Sequence, residues 1–301
     1  MTSSPSDYRR GILAMCTCMA LFLVQDSFTK LASARMPTAQ IICLRGMIAC
    51  AMLMVWILVT QPRAFRYLAD RGMIQGGVRA AFDALASFTY LWALFNLPLP
   101  NVSAINLSGP LLLTALAIVF LGEKVHWRRW IAIVVGLVGV VIIIQPTGSA
   151  FNWYSVLALF GTFCGAARDV LTRTIRLEIP TVLLTLVSTG LATAGAGVGV
   201  LIQGWPPVAW GDVLMLGAAG LFLITGYQFM ILSLRITEAS VVAPFRYTSI
   251  LWALLFGYIF WGDVPDPLAW VGIATLVGSG LYLLHRDRLG RRIAAGSAPA
   301  P

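Results

Sequence analysis

Apolar residues run through this chain in stretches about as long as a bilayer-spanning helix, which needs roughly 20. Short joints between them gather proline, glycine and basic residues, as in Gln61-Pro62-Arg63 and Gln145-Pro146-Thr147-Gly148. The pattern predicts ten spans, at 11–31, 39–60, 72–95, 99–121, 127–144, 153–174, 181–203, 211–234, 239–261 and 268–284. The first is expected to stay in the protein rather than leave as a signal peptide, because it is long, carries Asp26 and Lys30, and opens a series of five.

A second pattern lies on top of the first. Phe120, Gly122, Glu123, Trp130 and Ile133 return 140 positions later as Phe260, Gly262, Asp263, Trp270 and Ile273. Each half also places a proline inside its fourth span, Pro110 and Pro244, so a broken helix is expected in each. The expected domains are a five-helix repeat over 9–146, a second over 151–286 and a tail over 287–301. Because five is odd, the second repeat enters the membrane from the opposite face, giving an inverted 5+5 arrangement.

Composition excludes a soluble fold. The chain of 301 residues is 59% apolar and 11% charged, against about 25% charged in soluble domains, and its mean hydropathy is +0.85. The fold class is therefore all-α integral membrane with ten transmembrane helices. The net charge of +9 is a topology signal rather than a nucleic-acid signal, since fifteen of the 21 basic residues fall on one set of alternate joints, tails and adjoining span ends. That places both termini in the cytoplasm, with Gly122-Glu123 at the inner end of span four and Gly262-Asp263 at the outer end of span nine.

Charge inside lipid points to a pathway or site. Asp26 and Lys30 in span one, and Arg79 and Asp83 in span three, are each four residues apart and share a helix face, so the partners can neutralise each other. Arg168 and Asp169 diverge, and one of them must reach another helix. Arg45 and Arg246 have no carboxylate in their own spans, which leaves cations for an anionic solute or a polar cavity. The candidate substrate-binding set is Arg79, Phe82, Asp83, Trp92, Asn101, Asn106, Arg168, Tyr227, Gln228, Arg246, Tyr247 and Trp252: aromatics for a side chain, amides and an arginine for a carboxylate. The five cysteines are scattered within apolar spans and are read as packing residues. No metal site, nucleotide loop or other cofactor motif is present in the sequence. An enzyme is not expected either, since H-E-x-x-H is absent and Asp83 and Asp169 each have an arginine nearby to hold them ionised. A channel is the third reading, disfavoured by broken helices around a central site.

The duplicated plan, the Gly122-Glu123 and Gly262-Asp263 ends with Trp130 and Trp270 behind them, and the run 238–247 (Glu-Ala-Ser-Val-Val-Ala-Pro-Phe-Arg-Tyr) resemble the drug and metabolite transporter superfamily, in its branch of ten-helix exporters with two EamA-type repeats. The resemblance spans nearly the whole chain and includes bacterial exporters of aromatic amino acids. It implies a bacterial inner-membrane protein that exports small amphiphilic metabolites, most of all amino acids, by alternating access, through a cavity between helices three, four, eight and nine. Cationic drugs or nucleobase-like metabolites are the alternative substrates. The expected partners are the small-molecule substrate and the lipid bilayer, with the protein acting as a monomer and no nucleic acid involved.

Overall fold

A computed structural model describes residues 5–70, 73–121, 127–145, 152–174, 179–236 and 242–296, and every regular element among them is helical. The helices are α1 (Pro5–Ala32), α2 (Thr38–Thr60), α3 (Met73–Asn96), α4 (Leu99–Asn106), α5 (Gly109–Leu121), α6 (Trp127–Ile144), α7 (Trp153–Thr174), α8 (Thr181–Gln203), α9 (Trp210–Ile236), α10 (Thr248–Trp261) and α11 (Pro267–Gly296). Five stretches are long and apolar enough to cross a bilayer alone: Tyr8–Ala32, Thr38–Thr60, Leu99–Phe120, Trp153–Thr172 and Val182–Ile202. Three shorter apolar ones are Trp130–Ile144, Trp210–Gly226 and Pro267–Tyr282. Two features differ from the expected pattern. A 3₁₀ segment, Pro62–Ala69, fills the joint after α2, with Phe65 and Tyr67 packed on Ile179, Leu183 and Leu184. Residues 287–296, expected as a tail, continue the last helix.

Span four is split. Proline lacks the N–H that would reach the carbonyl four residues back, and its ring crowds that carbonyl, so Pro110 ends the ladder and the chain turns at Leu107-Ser108 between α4 and α5. At the turn the Ile105 carbonyl accepts both the Ser108 N–H at 3.0 Å and the Ser108 hydroxyl at 2.7 Å. In the other half, Pro244 falls within a 3₁₀ turn, Ala243–Tyr247, that leads into α10. There the Thr248 hydroxyl donates to the Phe245 carbonyl at 2.6 Å.

Helix packing relates the two halves by exchange. α1 packs on α9 and α7 on α3; α2 packs on α8, α6 on α11 and α4 on α10. α1 also touches α10, as α7 touches α4 and α5. Swapping the first five spans for the last five returns the same set of partners, as a twofold axis between the halves requires.

Small residues bring the paired helices close. A β-carbon on Gly139 of α6 would sit 2.9 Å from both the Gly272 carbonyl and the Leu276 amide of α11. The joint between these helices is pinned as well: Gln145, in the left-handed region at φ 50°, donates to the Asp266 carboxylate at 2.9 Å. Asp266 in turn caps the first turn of α11 by accepting the Ala269 N–H at 2.7 Å. Gly139→Ala should therefore force α6 and α11 apart and destabilise the detergent-solubilised protein by about 1–3 kcal/mol. Gly278→Ala, on α11 with open space around it, should leave the unfolding temperature unchanged in the same thermal melt.

Candidate functional site

Two chambers meet in the middle of the bundle. The first, about 320 Å³, is walled by Phe22, Leu23 and Asp26 of α1, Tyr90 of α3, Leu223 of α9, the broken span at Ser103, Asn106, Leu107 and Pro110, and Arg246 and Tyr247 of the 3₁₀ turn. The second, about 240 Å³, lies between α1, α2, α3, α7 and α8 and is lined by Arg45, Asp83, Ser87, Arg168 and a hydroxyl row at Thr185, Ser188, Thr189 and Thr193. Gln25, Asp26, Tyr90 and Leu223 belong to both. The partition is the Asp26–Tyr90 pair, in which the phenol donates to Asp26 Oδ2 at 2.8 Å. Gln25 Nε2 donates to the other oxygen of the same carboxylate.

Both breaks face the first chamber. That placement follows from backbone chemistry: an interrupted helix exposes carbonyl and N–H groups that lipid cannot satisfy, and a polar interior can. Arg246 and Tyr247 are delivered by the turn around Pro244, and Asn106 by the last turn before Pro110. Tyr247 is held against α11, where Gly280 leaves room for its hydroxyl, since a β-carbon at 280 would overlap that oxygen.

The charges divide into a structural knot and an available cation. Arg168 Nη1 meets Asp83 Oδ1 at 2.7 Å and its Nη2 meets Asp169 Oδ1 at 2.8 Å, so one guanidinium joins α7 to α3. Arg79 is 3.7 Å from Asp83 and donates to Thr172 Oγ1 at 2.9 Å and Ser188 Oγ at 2.8 Å, extending the knot to α8. Arg246 is different. It is exposed to the chamber and makes no ion pair or hydrogen bond among the described residues. Asp26 is 6% exposed, takes hydrogen bonds from neutral donors and has no cation within ion-pair distance among the described residues. One chamber thus holds a cation and a carboxylate that do not neutralise each other.

Of the residues expected at the site, Asn106, Arg246 and Tyr247 line the first chamber, and Asp83 and Arg168 line the second. The rest stand elsewhere. Arg79 is buried behind Asp83 in the knot. Phe82 and Asn101 line neither chamber. Trp92 is 48% exposed on the outer face of α3. Trp252 stacks on Phe256 at 6.0 Å within the packed core. Tyr227 and Gln228 lie on α9, and their side chains are outside the described residues. Glu123 is also outside them.

Of the two pairs that the spacing allows, Arg79–Asp83 forms and Asp26–Lys30 does not. Lys30 instead lies 3.8 Å from Asp263 and bonds the Leu97 carbonyl, because a shared helix face brings two side chains near without deciding which neighbouring helix each prefers. Asp26, Tyr90 and Ser103 are chamber residues absent from the expected set. Their signal was spacing: Met19, Phe22 and Asp26, then Ser103, Asn106 and Pro110, recur at three to four residues, as one helix face requires.

The comparison with known proteins decides the class. Residues 9–145 and again 152–285 match the EamA-like transporter family. The chain belongs to that family. It is 25% identical over 292 residues to the pseudopaline exporter CntI of Pseudomonas aeruginosa PAO1, covering 94% of this chain and 98% of that one. It is 21% identical to the S-adenosylmethionine uptake transporter of Rickettsia prowazekii, covering 96% and 97%. Over 219 residues it is 28% identical to the riboflavin transporter of Brucella anthropi, covering 70% and 76%. A solved structure with 19% identity superimposes at a TM-score of 0.59 over 94% of this chain and 98% of its own, which establishes the fold. The protein is a member of a ten-helix transporter family of the drug/metabolite type. Its relatives include proteins named for export and for uptake, so membership alone leaves direction open.

Within this EamA-type protein the knot has a structural role. Asp83→Asn, which leaves two guanidinium groups short of an acceptor in a half-buried site, should cost about 3 kcal/mol of stability. Asp169→Asn, on the more exposed partner, should shift the thermal midpoint less, and the same melt compares the two.

Proposed function

We propose that this EamA-family protein is a secondary transporter that carries zwitterionic, amino-acid-like metabolites with an apolar side chain out of the cytoplasm. The reading rests on the first chamber. Arg246 offers a guanidinium with no carboxylate partner among the described residues, Asp26 offers an acceptor for an ammonium group, and Phe22, Leu23, Leu107 and Leu223 form apolar walls between them. Charge-assisted hydrogen bonds at two ends of a low-dielectric cavity select a dipolar solute over an apolar one. An exposed arginine with no carboxylate partner among the described residues argues against cationic drugs as the main cargo.

On this reading two inverted five-helix halves, 9–146 and 151–286, lie in a bacterial inner membrane with both termini cytoplasmic, and the solute passes at their seam. The basic joints support that orientation. The packing of Lys30, Asp263 and Trp261 lies beyond the chamber on the outer side that orientation assigns, and export is the direction named for the pseudopaline relative.

Counterflow in proteoliposomes with a panel of amino acids and cationic dyes tests the proposal. Neutral amino acids should exchange saturably and dyes should not. Arg246→Gln should reduce amino acid flux about tenfold with the amount of inserted protein unchanged, and Arg246→Lys should retain part of it. Flux that is indifferent to Arg246, or dye exchange exceeding amino acid exchange, would reject this substrate class.

A further inference from the structure

We propose that Lys30 and Asp263, with Trp261 and the start of α4, form the gate that closes one mouth of the first chamber. This rests on the reading of that chamber as the transport site. The chamber ends at Asp26 on α1 and Ser103 on α4. One turn farther along both helices, about 6 Å away, stand Lys30 and Leu99. There Lys30 Nζ lies 3.8 Å from Asp263 Oδ2 and 4.7 Å from the centre of the Trp261 ring, and it bonds the Leu97 carbonyl. Asp263 Oδ2 also accepts the Leu99 N–H at 3.2 Å, which satisfies an orphan donor at the start of α4. Leu97 and Leu99 are buried, and Gly257 of α10 lies against Pro100 so closely that a β-carbon would sit 2.8 Å from the proline ring. α1, α4 and α10 therefore converge on one cluster that stops the cavity.

The cluster has the bonding expected of a contact that opens. The Arg168–Asp83 contact in the knot is a hydrogen-bonded pair at 2.7 Å, whereas Lys30 and Asp263 stand 3.8 Å apart with the lysine shared among a carboxylate, a carbonyl and a ring. The two charges are not stranded when the contact parts: Lys30 ends on a flexible stem, and Asp263 retains the Leu99 N–H. Asp263 is placed for this by Gly262, whose left-handed φ of 68° turns the chain at the end of α10 and lets the Gly262 and Asp263 N–H groups take up the Tyr258 and Gly257 carbonyls.

The sequence carries the same residue types twice. Asp26-Ser-Phe-Thr-Lys30 is echoed by Asp169-Val-Leu-Thr-Arg173, and Gly262-Asp263 by Gly122-Glu123. A clamp that closes one end only would have no need of a second copy. A carrier that exposes its site to one side at a time needs a closure for each.

Cysteine accessibility tests the gate without any substrate. In full-length protein whose five cysteines are replaced, Ser103→Cys reports from the chamber wall and Val264→Cys, on the exposed joint after α10, identifies the vesicle face that carries the gate. Right-side-out and inverted vesicles are treated with a membrane-impermeant maleimide. From the face that labels Val264→Cys, labelling at 103 should be slow with the gate intact and rise about fivefold or more in Lys30→Gln and in Asp263→Asn. Asp263→Asn retains an oxygen for the Leu99 N–H, so the rise reports the lost charge and not a lost cap. Lys30→Arg, which keeps the charge, should stay within about twofold of the parent. If a neutral variant does not insert, Trp261→Leu, which keeps both charges, is read in its place and should also raise labelling. No rise in the inserted variants overturns the gate. Unchanged labelling with intact amino acid flux would remove the gate alone, and flux insensitive to Arg246 would remove the substrate reading alone.

Discussion

Hydrocarbon offers no hydrogen bonds, so every polar group that enters it must bring a partner or face a polar interior. This constraint organises the molecule. Span four and the Pro244 turn break where their freed backbone groups look into the first chamber, and Ser108 and Thr248 return hydroxyl donors to the carbonyls nearby. Most of the intramembrane charges obey the same demand, in three ways. Asp83, Arg79, Arg168 and Asp169 satisfy one another across three helices, Lys30 and Asp263 meet across α1 and α10, and Arg246 faces the cavity. The site is thus made of what the packing could not consume.

Exchange of partners between the halves explains why these features converge. With α1 on α9 and α7 on α3, the first helix of each half is buried against the third of the other, and the two broken spans meet across the axis as α4 on α10. A chain that repeats one unit must place equivalent elements equivalently, so the two interruptions are brought together by topology rather than by attraction between them. The halves are not chemically equal, however. Arg246 follows Pro244 by two residues, and the corresponding position after Pro110 is Leu112. The chamber's arginine therefore comes from the second half, while Asp26, Tyr90, Ser103 and Asn106 come from the first, so the two halves line it with different chemistry.

The spans were legible because length and hydropathy are all that a bilayer demands of a spanning helix. Both interruptions were legible too, from the proline in each. The lining was harder to read. In water the apolar stripe of a helix marks its core face, but in lipid the outer face is apolar as well, so the contrast that would orient a helix disappears. Trp92 and Tyr90 illustrate the consequence. They are two residues apart and so point in nearly opposite directions; Tyr90 reaches Asp26 while Trp92 faces outward. An aromatic inventory counts both, and only the helical spacing of Asp83, Ser87 and Tyr90 separates them.

The placement of Lys30 carries this reasoning one step further. Four-residue spacing from Asp26 favours a local pair, yet the lysine stem is long enough to reach beyond its own helix, and at the end of α4 it finds an acceptor, a carboxylate and a ring together. There the ammonium combines one hydrogen bond with the charge of Asp263 and the face of Trp261, where a local pair would offer it one carboxylate. The departure of Lys30 leaves Asp26 to Tyr90 and Gln25, two neutral donors, which keeps a carboxylate available at the chamber wall. Closing the mouth and keeping an anion available inside it are two results of the same side-chain choice. Any change that returned Lys30 to Asp26 would weaken the gate and occupy the carboxylate at once, so the two functions are coupled through a single residue.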